Sequence, residues 1–215
     1  MLFRHRPIRA VLFDWDGTIV NSFEADSGAY KQMFTALGIG WSEELLARHY
    51  SPDWHRVYAA ANIPRERWDE ADRLWRSYYR AQKPPLMPGA RSVMRRLAGR
   101  YILGVVTSGN RVRVARQFRT FGFVNTFAVR VCNEDAPRRK PHPAPIQVAL
   151  RRLRLPAADC IYVGDAPEDV LMARSAGVRT IGILGPFPTH ARLRAAKPLA
   201  VLASIRELPA FLEKL

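Results

Sequence analysis

Asp14 and Asp16 stand two positions apart, directly after the apolar run Ala10-Val11-Leu12-Phe13, and Gly17 and Thr18 follow at once. Two carboxylates backed by a glycine turn are the residue types of a phosphoryl-transfer nucleophile and its proton partner. Where their environments separate their pKa values, one stays ionised to attack while the other carries a proton for the leaving group. The same residues could form a plain surface turn or a calcium loop. An EF-hand loop starting at Asp14 needs a Glu at its twelfth position, where this chain has Ala25, so the calcium loop falls. The plain turn stays open on these residues alone.

Positioning such a pair requires a strand. Ala10 to Phe13 is apolar on both faces and reads as a buried parallel strand, and open α/β sheets gather ligands at the carboxyl ends of their strands. Asp14 sits at that end, and Gly17 permits the bend that turns Asp16 back toward it. Other predicted strand ends carry helpers. After Val105-Val106 come Thr107-Ser108-Gly109-Asn110 before a helix, where Thr107, Ser108 and Asn110 with backbone N–H groups can cradle a phosphate. After Tyr162-Val163 come Gly164-Asp165 and, four residues on, Asp169. With Asp14 these acids make a hard oxygen site suited to Mg²⁺. Lys140, in Lys140-Pro141-His142-Pro143, offers an ammonium to offset the carboxylates and a phosphate. Each feature alone is commonplace; four in order, each at a strand end or helix start, are specific.

The elements alternate. Strands are expected at 102–106, 127–131, 161–163 and 178–183, and helices at 89–100, 111–121, 143–153 and 167–176. This pattern predicts an α/β fold with a Rossmann-like parallel sheet core and helices on both faces. Between the first strand and the helix at 89 lies a stretch without strand character. It reads as helices near 22–37, 42–50, 53–61 and 65–82, with Trp41, Trp54, Trp68 and Trp75 among them. The expected division is therefore a core of residues 1–18 and 88–215 with an inserted all-helical cap at 19–87, re-joined through the stiff segment Lys83-Pro84-Pro85-Leu86-Met87-Pro88.

The chain has 215 residues, enough for a substantial core, and a net charge of +15. Segment 19–88 carries nine acidic and nine basic side chains, so the whole excess lies in the remainder. Its arginines are dispersed and accompany no nucleic-acid-binding motif, which favours a basic surface that attracts anionic substrates. No specific nucleic-acid partner is expected, although a basic binding protein is the weakest of the alternatives. No apolar run could span a bilayer. Arg4, Arg6 and Arg9 occupy the first ten residues without a leader-like apolar stretch, so a cytoplasmic protein with no membrane partner is expected. Cys132 and Cys160 read as buried thiols with no metal-ligand spacing.

These motifs taken together resemble the haloacid dehalogenase-like hydrolase superfamily: Asp14-x-Asp16-Gly17-Thr18, Thr107, Lys140 and Gly164-Asp165-x-x-x-Asp169 follow its four motifs over essentially the whole chain. The helical insert is similar to a C1-type cap, and the Pro88-Gly89 return to that of the phosphoglycolate phosphatase-like subgroup. The resemblance implies that Asp14 forms an aspartyl-phosphate and that Asp16 protonates the leaving oxygen and then deprotonates water. Mg²⁺ would be held by the Asp14 carboxylate, the Asp16 carbonyl and Asp165, with Asp169 nearby orienting Lys140 or a metal-bound water. Thr107, with the backbone around Ser108 to Asn110, would hold the phosphoryl group. An acid at position 16 argues against dehalogenation, and residues 32–82 lack the lysine that a phosphonatase needs. The expected function is a Mg²⁺-dependent phosphomonoester hydrolase acting, as a monomer or homodimer, on a small phosphorylated metabolite, with phosphoglycolate first among the candidates. Sugar phosphates, nucleoside monophosphates and pyrophosphate stay open, and the alternative on the same site is a sugar-phosphate mutase or phosphotransferase. Arg48, His49, Tyr50, His55 and Arg56 are the cap residues expected to face the site, and His142 is expected only to fill a variable position.

Overall fold

A computed structural model describes residues 7–215; Arg4 and Arg6 lie outside them. The strand β1 (Ala10–Phe13) is followed by four helices, α1 (Phe23–Ala36), α2 (Glu43–His49), α3 (Trp54–Ala60) and α4 (Trp68–Arg80). Then come α5 (Ala90–Ala98), β2 (Ile102–Val106), α6 (Arg111–Phe121), β3 (Val129–Val131), α7 (Ala144–Leu153), β4 (Cys160–Gly164) and α8 (Pro167–Ser175). The chain closes with β5 (Arg179–Ile183), α9 (His190–Ala195), β6 (Ala200–Leu202) and α10 (Leu208–Leu212). The six strands are all parallel in the order β3-β2-β1-β4-β5-β6. The order reverses direction at β1, between β2 and β4, which is where an open sheet forms its ligand crevice.

The strand period of two assigns the residues of β1 to two cores. Val11 and Phe13 point into a cluster with Val93, Met94 and Leu97 of α5, Val114 and Phe118 of α6, and Leu208 of α10. Ala10 and Leu12 point the other way, toward Ile146 and Ala149 of α7 and Met172 and Ala173 of α8. Helices therefore cover both faces. Full burial of side chains such as Leu12 and Phe13, both at 0% exposure, contributes about 1.5–3 kcal/mol each. Trp15 continues the first cluster, stacked on Phe118 at 4.6 Å with its indole N–H donating to Gln117 Oε1 at 2.8 Å.

The helical insert has a core of its own, built from Tyr30, Met33, Phe34, Leu46, Val57 and Tyr58, with Trp41, Trp54, Trp68 and Trp75 half-buried against it. It leaves and re-enters the sheet through two crossing segments tied by backbone bonds, Met87 N–H to the Ile19 carbonyl at 2.8 Å and Asn21 N–H to the Pro85 carbonyl at 2.9 Å. Among the described residues, no helix is long and apolar enough to cross a membrane. Cys132 and Cys160 are buried free thiols, and burial pushes both up to about 11. The three elements after β5 were not expected from the sequence. Strands of three residues and helices of five or six are too short for periodicity to mark them.

Candidate active site

The carboxyl end of β1, the strand β4 and the first turn of α8 converge on one buried ammonium. Lys140 lies in the loop before α7 with its side chain 1% exposed. Its Nζ is 2.7 Å from Asp14 Oδ1, 2.7 Å from Asp169 Oδ1 and 2.8 Å from the Tyr162 hydroxyl. Tyr162 donates its own proton to the Val106 carbonyl at 2.8 Å, so the hydroxyl accepts from the lysine. Burial pushes Asp14 up to about 7, Lys140 opposes that shift, and the charge of Asp169 adds to it. For Lys140 burial acts downward, yet the Asp14 and Asp169 carboxylates outweigh it and the ammonium stays charged. Asp169 Oδ2 accepts the Ala166 N–H at 3.1 Å, closing the first turn of α8. Both of its oxygens are thus engaged.

Asp165 stands next to Asp14, and its pKa is raised well above the usual carboxylate range by burial and then by the charges of Asp14 and Asp169. Thr18 donates to Asp165 Oδ1 at 3.0 Å. Asp14, Asp165 and Asp169 each offer an oxygen within 4.8 Å of the others. Gly17 adopts φ +78°, and a Cβ there would lie 2.7 Å from the Phe187 ring and collide with the Asp165 carboxylate. The close approach of the glycine turn to Asp165 therefore excludes any side chain. Hard oxygens, a surplus of buried negative charge and a turn with no room for a Cβ fit a divalent cation.

Asp16 has a partner that the sequence did not suggest. Arg113 Nη1 and Nη2 donate to Asp16 Oδ1 and Oδ2 at 2.8 and 2.6 Å, a bidentate pair. Burial acts upward on Asp16, but the charge and hydrogen bonds of Arg113 more than reverse it, and the carboxyl is held below its usual value. The guanidinium also lies 4.9 Å from the centre of the Tyr79 ring. Helical geometry supplies the cue that could have found Arg113. It stands three residues after Asn110, whose side chain caps α6 by accepting the Arg113 N–H at 2.9 Å, so it projects from the first turn beside Thr107, Ser108 and Asn110. Gly109 leaves it room, since a Cβ there would meet the guanidinium and Val114.

Thr107 is 4% exposed and accepts the Gly109 N–H at 2.9 Å, which leaves its own hydroxyl proton for another acceptor. Ser108 Oγ is buried without a partner. Thr107, Ser108 and Asn110 line one cleft with Asp14, Asp16 and Asp165. Of the five insert residues expected to face the site, the structure brings only Tyr50 into this cleft. His55 lines a shallower neighbouring groove with His142, and Arg48, His49 and Arg56 line neither. Asp26, Tyr30, Trp54 and Trp75 do line the cleft, and the sequence reading missed them. The insert meets the core beside it: Ser51 donates to Glu168 at 2.9 Å, and Tyr50 stacks on Phe187 at 4.5 Å.

This sheet with its carboxylate, lysine and threonine loops defines a phosphoryl-transfer class of α/β hydrolase. Residues 11–183 match the profile of the haloacid dehalogenase-like hydrolases, and the chain belongs to that family. A relative from Caldanaerobacter subterraneus subsp. tengcongensis that carries the PpaX pyrophosphatase name is 31% identical over 198 residues, 89% of this chain and 88% of its own. The phosphoglycolate phosphatase of Yersinia pseudotuberculosis is 26% identical over 226 residues, covering 96% and 94% of the two chains. The crystal structure of a predicted phosphatase from Clostridium acetobutylicum superposes with a TM-score of 0.88 at 22% identity over 98% of this chain and all of the other, which shows the fold.

Proposed function

We propose that this protein is a Mg²⁺-dependent phosphomonoester hydrolase that works through an aspartyl-phosphate on Asp14. The observation that carries this reading is the buried Lys140 ammonium 2.7 Å from Asp14 Oδ1. A carboxylate that burial alone would protonate is kept available as a nucleophile by that contact. Asp169 and Tyr162 position the lysine, and Thr107, Ser108 and the α6 N-terminus bind the phosphoryl oxygens. Asp14 attacks phosphorus, the bond to the leaving oxygen breaks, and Asp16 gives that oxygen its proton. The carboxylate form of Asp16, which Arg113 favours, is the one needed in the second half, when water attacks the aspartyl-phosphate and Asp16 takes its proton. For the first half, the negative charge of an arriving phosphate ester beside Asp16 favours the protonated form. The Asp14 and Asp165 carboxylates and the Asp16 carbonyl would hold Mg²⁺, with Asp169 adjoining, and the cation would neutralise charge on the transferring group.

Residues 19–87 act in this reading as a cap that excludes water from the leaving group. Names borne by the relatives support a small phosphorylated substrate, with phosphoglycolate and pyrophosphate as the relatives' own examples. The test is phosphate release from p-nitrophenyl phosphate with and without Mg²⁺, alongside Asp14→Asn. Mg²⁺-dependent turnover that disappears in the variant while its circular dichroism is unchanged supports the reading; equal turnover in the variant overturns it.

A further inference from the structure

Proton transfer by Asp16 belongs to the phosphomonoester reading on which this inference rests, and it requires the carboxyl group to be held in one orientation. The terminal torsion of an aspartate is broad and roughly two-fold, so the turn after β1 by itself leaves the carboxyl plane free to rotate. Asp16 is also 21% exposed, which gives it room to do so.

Arg113 removes that freedom. Nη1 donates to Oδ1 at 2.8 Å and Nη2 to Oδ2 at 2.6 Å, and two parallel bonds from a rigid fork fix both the plane of the carboxyl and its position. A carboxylate has about four acceptor positions. The fork takes one on each oxygen and leaves one on each for a proton.

The arginine is held in its turn from both sides. The Asn110 side chain accepts its backbone N–H at 2.9 Å in the first turn of α6. Its guanidinium lies 4.9 Å from the centre of the Tyr79 ring, and Nη1 also donates to the Tyr79 hydroxyl at 3.3 Å. Tyr79 is 2% exposed and stacks on Trp75 at 4.7 Å, so the support is rigid. Arg113 Nε, by contrast, is buried without a partner. A buried N–H left unsatisfied is destabilising, and the fold tolerates it while both Nη groups stay on Asp16.

We propose that Arg113 is the positioning residue for Asp16. Its fork sets the carboxyl plane so that a remaining acceptor position faces the leaving oxygen. The phosphorus bond to that oxygen breaks, the oxygen keeps the electron pair, and it takes the proton from Asp16. Arg113 exchanges no proton, because a guanidinium stays protonated throughout.

kcat/KM is to be measured with the full-length protein and Mg²⁺ on p-nitrophenyl phosphate and phenyl phosphate, two esters of similar shape. Phenol is the poorer leaving group and needs the proton more. Arg113→Met should lower kcat/KM for phenyl phosphate about tenfold to a hundredfold, and that for p-nitrophenyl phosphate by about threefold or less. Arg113→Lys keeps the charge and loses the fork, and it should fall in the same direction; if Arg113→Met does not fold, as read by thermal melting, this variant carries the comparison. In an Asp16→Asn background, Arg113→Met should change kcat/KM for phenyl phosphate by less than about twofold, because the arginine acts through the carboxyl that is already gone. Equal losses on the two esters, full activity in Arg113→Lys, or faster turnover of phenyl phosphate in Arg113→Met overturns the positioning role. So does an undiminished further loss in the double variant, which would place Arg113 on the phosphoryl group itself. Each of these results leaves the phosphatase reading intact as long as the wild-type protein turns over either ester with Mg²⁺. No turnover of either ester by the wild type overturns that reading and the inference with it.

Discussion

Lys140→Met removes the ammonium shared by Asp14 and Asp169 and leaves a methionine of similar length in its place. The lysine side chain is 1% exposed, and its two carboxylate partners are 8% and 0% exposed, so water cannot replace the lost contacts. Removing one partner of a buried ion pair costs about 3–5 kcal/mol, which for a chain of this size lowers Tm by about 6–20 °C. The deficit depends on pH. With the lysine present, Asp14 stands at about 7 against an ordinary carboxyl value of 3.8, and without it Asp14 rises further. A carboxyl whose folded pKa is raised contributes fully below its unfolded value, and that contribution is lost as pH rises through the folded value. Urea unfolding of both proteins in EDTA should therefore show the largest gap at pH 8. At pH 5, where Asp14 is protonated in each, the gap should be smaller by about 1 kcal/mol or more. A variant as stable as the wild type at pH 8, or a gap that does not change between the two pH values, refutes the idea that Lys140 offsets the carboxylates.

Three further outcomes are expected. Asp16→Asn should reduce turnover of alkyl phosphates more than that of p-nitrophenyl phosphate, whose departure needs little protonation; matching losses would remove Asp16 from the acid role. Asp165→Asn should weaken Mg²⁺ binding by about tenfold or more, read by calorimetric titration without substrate, and unchanged affinity would take Asp165 out of the cation site. Gly17→Ala combines φ +78° with a collision against Asp165 and Phe187, so it should lose about 1–3 kcal/mol of stability, measured by thermal melting. An alanine variant with wild-type Tm would mean that the turn is freer than its packing implies.

The sequence by itself determined the frame and which chemistry-bearing side chains gather at one end of the sheet. Ala10 to Phe13 had to be a central strand because nothing in the run tolerates water, and the acids after β1 and β4 had to share one sheet edge once the strands were parallel. Thr107, Lys140, Asp165 and Asp169 followed from the same logic, because motif spacing and strand ends are local properties of the chain. The helical nature of the insert was legible for the same reason. Contacts set by the meeting of distant segments were not. Arg113 meets Asp16 across 97 positions, Ser51 meets Glu168 across 117, and Tyr162 supports Lys140 from inside a strand that reads simply as apolar. The cleft wall shows the same division. Tyr50 was expected there with Arg48, His49, His55 and Arg56, but only the docking of the insert against Phe187 and Glu168 decides which helical face looks down on Asp14. A helix pattern marks a buried face and cannot say whether that face meets its own core or a cleft. In this protein Asp26, Trp54 and Trp75 were assigned to the cleft by tertiary packing alone.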